Sequence, residues 1–276
     1  MTNNNEIKLN FIYERAGIVS LNDLYITKGI SKCLAVKTFR TPMKLMEQLP
    51  TLTGNILLYH KNNIHTNQFL SLLENYKNGK IFIYNSTDKN ISVTFHDYTL
   101  LSSNEIPLYA LSYNLYEYMF SSIIDKEFTL DNLVMTDDIK PPVNAYHYIY
   151  LINSINTVNT CYKYNKSRCE YIINTYTQWI ISEVFNKSKC YYTTSEIIDP
   201  LIILAIYSND MIICNKILYD KLLDIGVISI DVSTITDIHP IEMNKLILES
   251  NKDAINKYCN DKIEIITDVY NNKLIK

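Results

Sequence analysis

Short apolar runs alternate with amphipathic stretches along most of the chain. Two of the runs, Ile56–Tyr59 and Lys80–Tyr84, have the length and composition of buried strands. Between them, apolar residues from Thr66 to Tyr76 fall at helical spacing, and Thr66 can cap the helix. Strand, helix and strand within about 30 residues are typical of a crossover unit in a parallel sheet.

The same patterns predict elements on both sides of this unit. A strand is expected around Leu9, and Thr41-Pro42 is the start signal of a short helix that ends at Pro50. Further strands are predicted over 91–95, 201–207, 227–232 and 263–266, and further helices over 108–120, 144–155, 165–185, 210–223 and 240–250.

This order of elements predicts an α/β protein. We expect two lobes with mostly parallel sheets flanked by helices, joined by a long amphipathic helix. The boundaries place an N-terminal lobe at 1–156, a helical connector at 157–195 and a C-terminal lobe at 196–276.

Charge and composition exclude several classes of protein. The net charge of the 276 residues is −3, and neither half is basic, so there is no strong signature of nucleic-acid binding. The apolar runs are interrupted well before the roughly 20 residues of a membrane span. The N-terminus lacks the pattern of a signal peptide, and no two of the six cysteines have zinc-site spacing, so we expect reduced thiols and a cytoplasmic protein. A protein partner is left open.

The composition is biased toward Ile, Asn and Tyr, with 23 tyrosines and only 5 glycines. This bias reflects the base composition of the genome more than the function of the protein. These residues share A/T-rich codons, so the sequence is typical of an A/T-rich genome such as that of a large DNA virus, in which case the compartment is the host cytoplasm. The few glycines do not form a Gly-rich phosphate loop, which excludes nucleotide binding by that motif.

Polar residues that could carry chemistry follow several predicted strands. His60 ends one strand, His96 and Asp97 follow the strand predicted over 91–95, and Asp137-Asp138 precedes a pair of prolines. Histidine and aspartate at strand ends can ligate metals or move protons. Loops in this position are polar whether or not they bind anything, so the residues alone favour ordinary turns.

The order of these features resembles that of the DHH phosphoesterases, which pair a metal-bearing DHH domain with a substrate-binding associated domain. The segment Ile56–His65 stands where the family has its first metal motif, although both aspartates of that motif are absent. The family's second motif, an aspartate at the end of the next strand, would fall near Asn85. Its Asp-His-His motif would fall at His96-Asp97, and its fourth acidic motif at Asp137 or Asp138.

The second half of the chain is also similar to that family. Asp231-Val232-Ser233-Thr234-Ile235-Thr236 and His239-Pro240 resemble motifs of the associated domain, although the glycines that precede the family's histidine are missing. The resemblance implies that Ser233 and His239 contact substrate.

The resemblance further implies a metal-dependent reaction at a depleted centre. Its metal ligands would be His60, Asn85, Asp97 and Asp138, and His96 and Asp97 would be catalytic. Two divalent ions need more carboxylates than these residues supply, so we expect a phosphoesterase-like protein with little or no catalysis and no cofactor. The alternatives are an active Mn²⁺- or Mg²⁺-dependent phosphodiesterase on nucleotides or short oligonucleotides, and a non-enzymatic binding or assembly protein.

Overall fold

The computed structural model describes residues 8–14, 21–61, 64–85, 93, 97–120, 133–136, 147–152, 169–173, 190–235 and 245–276. The chain forms two compact units. Unit 1 comprises residues 1–19, 23–112 and 260–276, and unit 2 comprises residues 20–22 and 113–259. Each unit is built on a parallel sheet flanked by helices, which confirms the predicted α/β class.

Unit 1 contains a five-stranded sheet in the order β2-β1-β3-β4-β5, with every neighbouring pair parallel. Its strands are β1 (Leu9–Ile12), β2 (Val36–Phe39), β3 (Asn55–His60), β4 (Ile81–Asn85) and β5 (Tyr98–Leu101). Its helices are α1 (Leu21–Cys33), whose first two residues belong to unit 2, α2 (Pro42–Gln48) and α3 (Ile64–Leu73). The 3₁₀ turns Leu49–Thr51 and Leu108–Ser112 complete the list.

The core of unit 1 follows from the alternation of side chains along the strands. Ile56 and Leu58 of β3 lie on the same face as Ile81 and Ile83 of β4, and this face packs against α2 and α3. At the amino edge of the sheet, Gly54 adopts φ +88°, and a Cβ on Gly79 would lie 2.3 Å from the Gly54 carbonyl oxygen. Backbone segments therefore meet here at a distance that only glycine permits.

Unit 2 contains a six-stranded sheet in the order β11-β10-β9-β6-β7-β8, again with parallel neighbours throughout. Its strands are β6 (Leu133–Thr136), β7 (His147–Ile152), β8 (Cys169–Ile173), β9 (Cys190–Tyr192), β10 (Met211–Cys214) and β11 (Ile230–Asp231). Its helices are α4 (Tyr113–Phe120), α5 (Pro200–Tyr207), α6 (Lys216–Asp224) and α7 (Lys245–Val269), the last of which continues into unit 1. A π-helical turn, Tyr270–Leu274, follows α7.

Several predicted elements are wrong in type. The helices predicted over 144–155 and 165–185 are instead strands β7 and β8 where the structure describes them. Strands of parallel sheets often form continuous apolar runs, and such runs lack the alternation that would distinguish them from a helix. The sheet therefore gains strands from residues that the sequence had assigned to the first lobe and the connector.

The segment 199–224 shows the opposite error. Residues 201–207, predicted as a strand, form α5, and the helix predicted over 210–223 is divided into strand β10 and helix α6. Every residue of α5 from Pro200 to Ile206 is buried, so its sequence has no polar face to reveal a helical period. Likewise, the strand predicted over 263–266 is part of the 25-residue helix α7.

The strand predicted over 91–95 lies outside the described residues, apart from residue 93.

No helix among the described residues is both long enough and apolar enough to cross a membrane. Cys33, Cys190, Cys214 and Cys259 are not in disulfide bonds, and all but Cys33 are buried.

Candidate functional site

The strand order of unit 1 identifies the edge at which a ligand is expected. In doubly wound sheets ligands bind at the carboxyl ends of the strands, where the order of strands reverses, and in the order β2-β1-β3-β4-β5 this point lies between β1 and β3. The residues that end β3 are Tyr59 and His60, and Lys61 follows them. Helix α1, which follows β1 in the chain, begins beside the same edge.

Asp23, in the first turn of α1, joins this helix to the end of β3. Its side chain is only 6% exposed. Oδ1 accepts a hydrogen bond of 2.6 Å from the Tyr59 hydroxyl, and Oδ2 pairs with the Lys61 ammonium. The Asp23 carboxylate thus fixes the side chains of Tyr59, in β3, and Lys61, in the loop that follows. Both lie at the switch point, the place where the order of strands reverses.

The Tyr59 ring is fixed on its other side by Tyr84. These residues are opposite each other in the β3–β4 register, and their rings stack with centroids 5.7 Å apart and planes 18° apart. Burial raises the pKa of the Tyr84 hydroxyl. The Tyr84 hydroxyl is therefore neutral at pH 7, and its ring supports the Tyr59 ring that contacts Asp23.

Lys61 is the side chain of this cluster that reaches the surface. It is 20% exposed, and burial lowers the pKa of its ammonium group. An ammonium group has three N–H donors, and a single carboxylate oxygen of Asp23 lies against it. The group can therefore donate to a ligand while it keeps its ion pair.

His60 and Asn85, two of the predicted ligands, do lie together. They are opposite each other at the carboxyl ends of β3 and β4, on the face of the sheet away from Tyr59 and Tyr84. His60 is 1% exposed, and burial lowers the pKa of its imidazole. The ring is accordingly neutral at pH 7.

Asp97 lies at the wrong edge for the predicted site. It precedes β5, whose first residue Tyr98 is opposite Ile81, the first residue of β4. His60 is opposite Asn85, four residues further along β4. At about 3.3 Å per residue, roughly 13 Å of strand separates the two positions. The sequence analysis placed Asp97 after a strand that ends at residue 95, whereas Asp97 precedes a strand that begins at residue 98.

The remaining predicted site residues are His96, Asp138, Ser233 and His239. His96, Asp138 and His239 lie outside the described residues. Ser233 lies in unit 2, in a 3₁₀ turn after β11, where its backbone N–H and hydroxyl donate to Asp231 Oδ1 at 3.0 and 2.8 Å. These two hydrogen bonds lower the pKa of Asp231. Ser233 therefore closes a local turn.

The donor set of the cluster does not suit two divalent metal ions. Among the described residues at this edge, Asp23 is the one carboxylate identified, and the Lys61 ammonium already balances its charge. His60 and Asn85 are neutral donors on the other face of the sheet. Throughout the described part of the chain, no group of three or more histidine, cysteine or acidic side chains is arranged to hold a metal.

The N-terminus of α5 in unit 2 is occupied by the protein's own side chains. Helix N-termini at the carboxyl edge of such sheets commonly bind phosphate. Here Asp199 Oδ1 accepts from the Ile202 N–H at 3.0 Å, and Asn22 Oδ1 accepts from the Leu201 N–H at 3.0 Å. The Asn22 amide also donates to Asp199 Oδ2, and Pro200 has no N–H to offer.

Asp23 and Tyr59 are the members of the site that the sequence analysis missed, whereas Lys61 was included in the candidate segment Ile56–His65. Asp23 lies in a helix that was not predicted, although an acid just inside a helix start is a recognised signal. Tyr59 was interpreted only as part of an apolar strand. Nothing in the sequence links residues 23 and 59, because their pairing depends on the β1–β3 neighbourhood.

Comparison with known proteins gives little further information. No protein family profile matches the chain, and no curated protein has a significantly similar sequence. Among solved structures, the crystal structure of AviGT4, a glycosyltransferase involved in avilamycin A biosynthesis, is similar to this chain. The TM-score is 0.49 and the identity 6%, over 96% of this chain and 98% of that one. A likeness at this level carries no argument about activity.

Proposed function

We propose that the chain is a phosphoesterase-like protein that binds a small phosphorylated ligand in unit 1 and has little or no hydrolytic activity. The observation that carries the proposal is the Lys61 ammonium, which Asp23 holds at the switch point of the sheet. A lysine at this position supplies a positive charge and N–H donors to phosphate oxygens.

The fixed geometry around Lys61 supports this role. Asp23 is itself fixed by the Tyr59 hydroxyl, so the lysine does not have to be ordered when the ligand arrives. A side chain that is already held in place loses less conformational entropy on binding. The ion pair thus lowers the cost of binding while part of the ammonium group stays accessible.

The separation of Asp97 from His60 favours the non-catalytic form over an active phosphodiesterase. An active two-metal enzyme needs several carboxylates around one point. The placement of Asp97 before β5 removes one of the acids on which that alternative depended. The proposed binding mode therefore requires neither Mn²⁺ nor Mg²⁺.

Calorimetric titration of the full chain with AMP and with inorganic phosphate, in the presence of EDTA, tests the proposal. We expect saturable binding that Lys61→Met weakens about tenfold or more, because a charge-assisted hydrogen bond is lost. Lys77→Met is the matched control, since Lys77 is exposed and lies in the same unit. Equal losses in both variants would contradict the assigned site.

A parallel assay addresses catalysis. We expect no Mn²⁺-dependent hydrolysis of bis-p-nitrophenyl phosphate or of short oligonucleotides. Metal-dependent turnover that is lost on substitution of His60 would favour the active enzyme instead.

We also propose that the protein resides in the cytoplasm, or in the host cytoplasm if its genome is viral. The support is chemical: Cys33, Cys190, Cys214 and Cys259 are not in disulfide bonds, as is usual in a reducing compartment. Fluorescence microscopy of a tagged chain in cells tests the assignment, and labelling in the secretory pathway would contradict it.

A further inference from the structure

A further cation lies at the carboxyl edge of the unit 1 sheet, close to the site proposed above. Arg40 directly follows β2. Strand β1 is in register with both β2 and β3 up to Ile12, its last residue. The positions one residue further along the three strands are Arg40, Tyr13 and Tyr59. These residues therefore form a row across the sheet at its carboxyl edge.

The side chains of this row lie on the face of the sheet that α1 covers. The guanidinium carbon of Arg40 lies 5.8 Å from the centre of the Tyr13 ring, and the Tyr59 hydroxyl donates to Asp23 of α1. Lys61 follows Tyr59 by two residues, so it returns to the same face, where it also pairs with Asp23. Arg40 and Lys61 thus share both an edge and a face of the sheet.

The contact with Tyr13 directs the Arg40 side chain toward the switch point. Tyr13 follows β1, so a cation–π contact with its ring draws the exposed arginine from β2 toward β1. Strands β2 and β3 flank β1 and lie roughly 10 Å apart, so a group bound above β1 is within reach of the long side chains of both Arg40 and Lys61. The contact uses the charge of the guanidinium, whose five N–H donors can still bind a ligand.

The charge balance around Lys61 shows why a second cation matters. The Lys61–Asp23 ion pair is neutral as a whole, whereas a phosphomonoester carries a charge of about −1.5 to −2 at pH 7. A phosphoryl group that contacts the ammonium also comes close to the Asp23 carboxylate, which repels it. A positive charge on Arg40 offsets this repulsion, and the arginine fork can donate to two phosphate oxygens at once.

We propose that Arg40 is a second phosphate-binding residue of this site, and that with Lys61 it selects a terminal phosphomonoester over a phosphodiester. The inference rests on the phosphate binding proposed above. A phosphomonoester brings a second negative charge and three terminal oxygens, so it gains the full benefit of both cations. A phosphodiester carries a single charge and one terminal oxygen fewer, so it gains less from Arg40.

Calorimetric titration of the full chain with AMP and with cyclic AMP, in the presence of EDTA, tests the proposal, because the two ligands share a nucleoside and differ in the phosphate. We expect the wild type to bind AMP at least tenfold more tightly. Arg40→Gln should weaken the binding of AMP about tenfold and that of cyclic AMP much less. Arg40→Lys, which keeps the charge but lacks the fork, should fall between the wild type and Arg40→Gln.

Lys37→Gln is the matched control. Lys37 is an exposed basic residue of the same strand, β2, and its ammonium lies 5.4 Å from the centre of the Phe39 ring, on the opposite face of the sheet. Its substitution should leave both affinities unchanged. Each variant should keep the circular dichroism spectrum of the wild type, because Lys37 and Arg40 are both exposed.

Failure of this inference differs from failure of the proposed function. Suppose that AMP binds and that Lys61→Met weakens it. An equal affinity for cyclic AMP, or an equal loss of both ligands in Arg40→Gln, would then overturn the role of Arg40 alone. An effect of Lys37→Gln as large as that of Arg40→Gln would overturn it as well, since surface charge in general would explain the binding. Absence of saturable binding of either ligand would overturn both proposals.

Discussion

Asn251 makes both of its side-chain hydrogen bonds to the backbone of a single residue, Ile228. Its Oδ1 accepts from the Ile228 N–H at 2.7 Å, and its Nδ2 donates to the Ile228 carbonyl at 2.8 Å. Asn251 is only 1% exposed, so water does not readily replace these bonds. The residue therefore connects α7 to the segment between α6 and β11, in the same way that a neighbouring strand would.

Removal of this amide should be strongly destabilising. We expect Asn251→Ala to lower the free energy of unfolding by about 1–3 kcal/mol, because the Ile228 N–H and carbonyl both lose the buried Asn251 amide as their partner. Urea denaturation followed by circular dichroism measures the change. Asn272→Ala, on the exposed surface, is the control and should change stability by less than about 0.5 kcal/mol.

The hydrogen bond from Tyr59 to Asp23 gives a second prediction. Tyr59→Phe keeps the stacked ring but removes the hydroxyl that donates to Asp23 Oδ1, so we expect a loss of about 1–2 kcal/mol in stability. Tyr219→Phe is the matched control, since its ring keeps the cation–π contact with Lys216. An equal effect in both variants would contradict a special role for the Tyr59 hydroxyl.

His60 makes the stability depend on pH in a predictable direction. Burial lowers its pKa in the folded state, so below the ordinary value of 6.5 the unfolded chain takes up a proton that the folded chain does not. The stability that the neutral ring provides is therefore present above pH 6.5 and is lost as the pH falls toward the folded pKa.

The slope should reach at most about 1.4 kcal/mol per pH unit within that window. Urea denaturation at a series of pH values below 7 measures it in the wild type and in His60→Gln. The variant should lose this component of the slope, and an unchanged slope would assign the dependence to other groups.

The two turns that contain Gly79 and Gly226 should respond differently to alanine. A Cβ at Gly79 would meet the backbone of Gly54 at 2.3 Å, so one of the two backbone segments must move. A Cβ at Gly226 meets only Ala254 Cβ, at 3.7 Å, and the cost there comes from φ +84°. We expect Gly226→Ala to cost about 1–2 kcal/mol and Gly79→Ala clearly more. Thermal denaturation compares the two, and the reverse order would contradict the close approach.

The sequence was sufficient to predict an element where its apolar run lies between clear start and stop signals. Strands β3 and β4 and helix α2 were predicted close to their observed limits, and Thr41 caps α2 through its hydrogen bond from the Lys44 N–H, as expected. In each of these elements the local signal and the tertiary fold agree, so pattern and propensity lead to the same result.

The site was harder to predict, because it depends on strand limits and on contacts distant in sequence. The sequence predicts a strand that ends at residue 95, whereas β5 begins at Tyr98. This difference of a few residues moves Asp97 from one edge of the sheet to the other. Asp199 and Pro200 form the N-terminus of α5, a start signal that the sequence analysis did not use because the run after it is apolar throughout. Helix α1 carries Asp23, and its weak amphipathic pattern concealed it.

The last residues of the chain belong to unit 1. Leu274 is completely buried, and its carbonyl oxygen accepts a 2.8 Å hydrogen bond from the side chain of Asn55, while the Tyr270 hydroxyl donates to the Ala35 carbonyl. During translation, residues 270–274 must therefore leave the ribosome before residues 35 and 55 acquire these contacts. A nascent chain stalled before residue 270 accordingly holds unit 1 in an unfinished state.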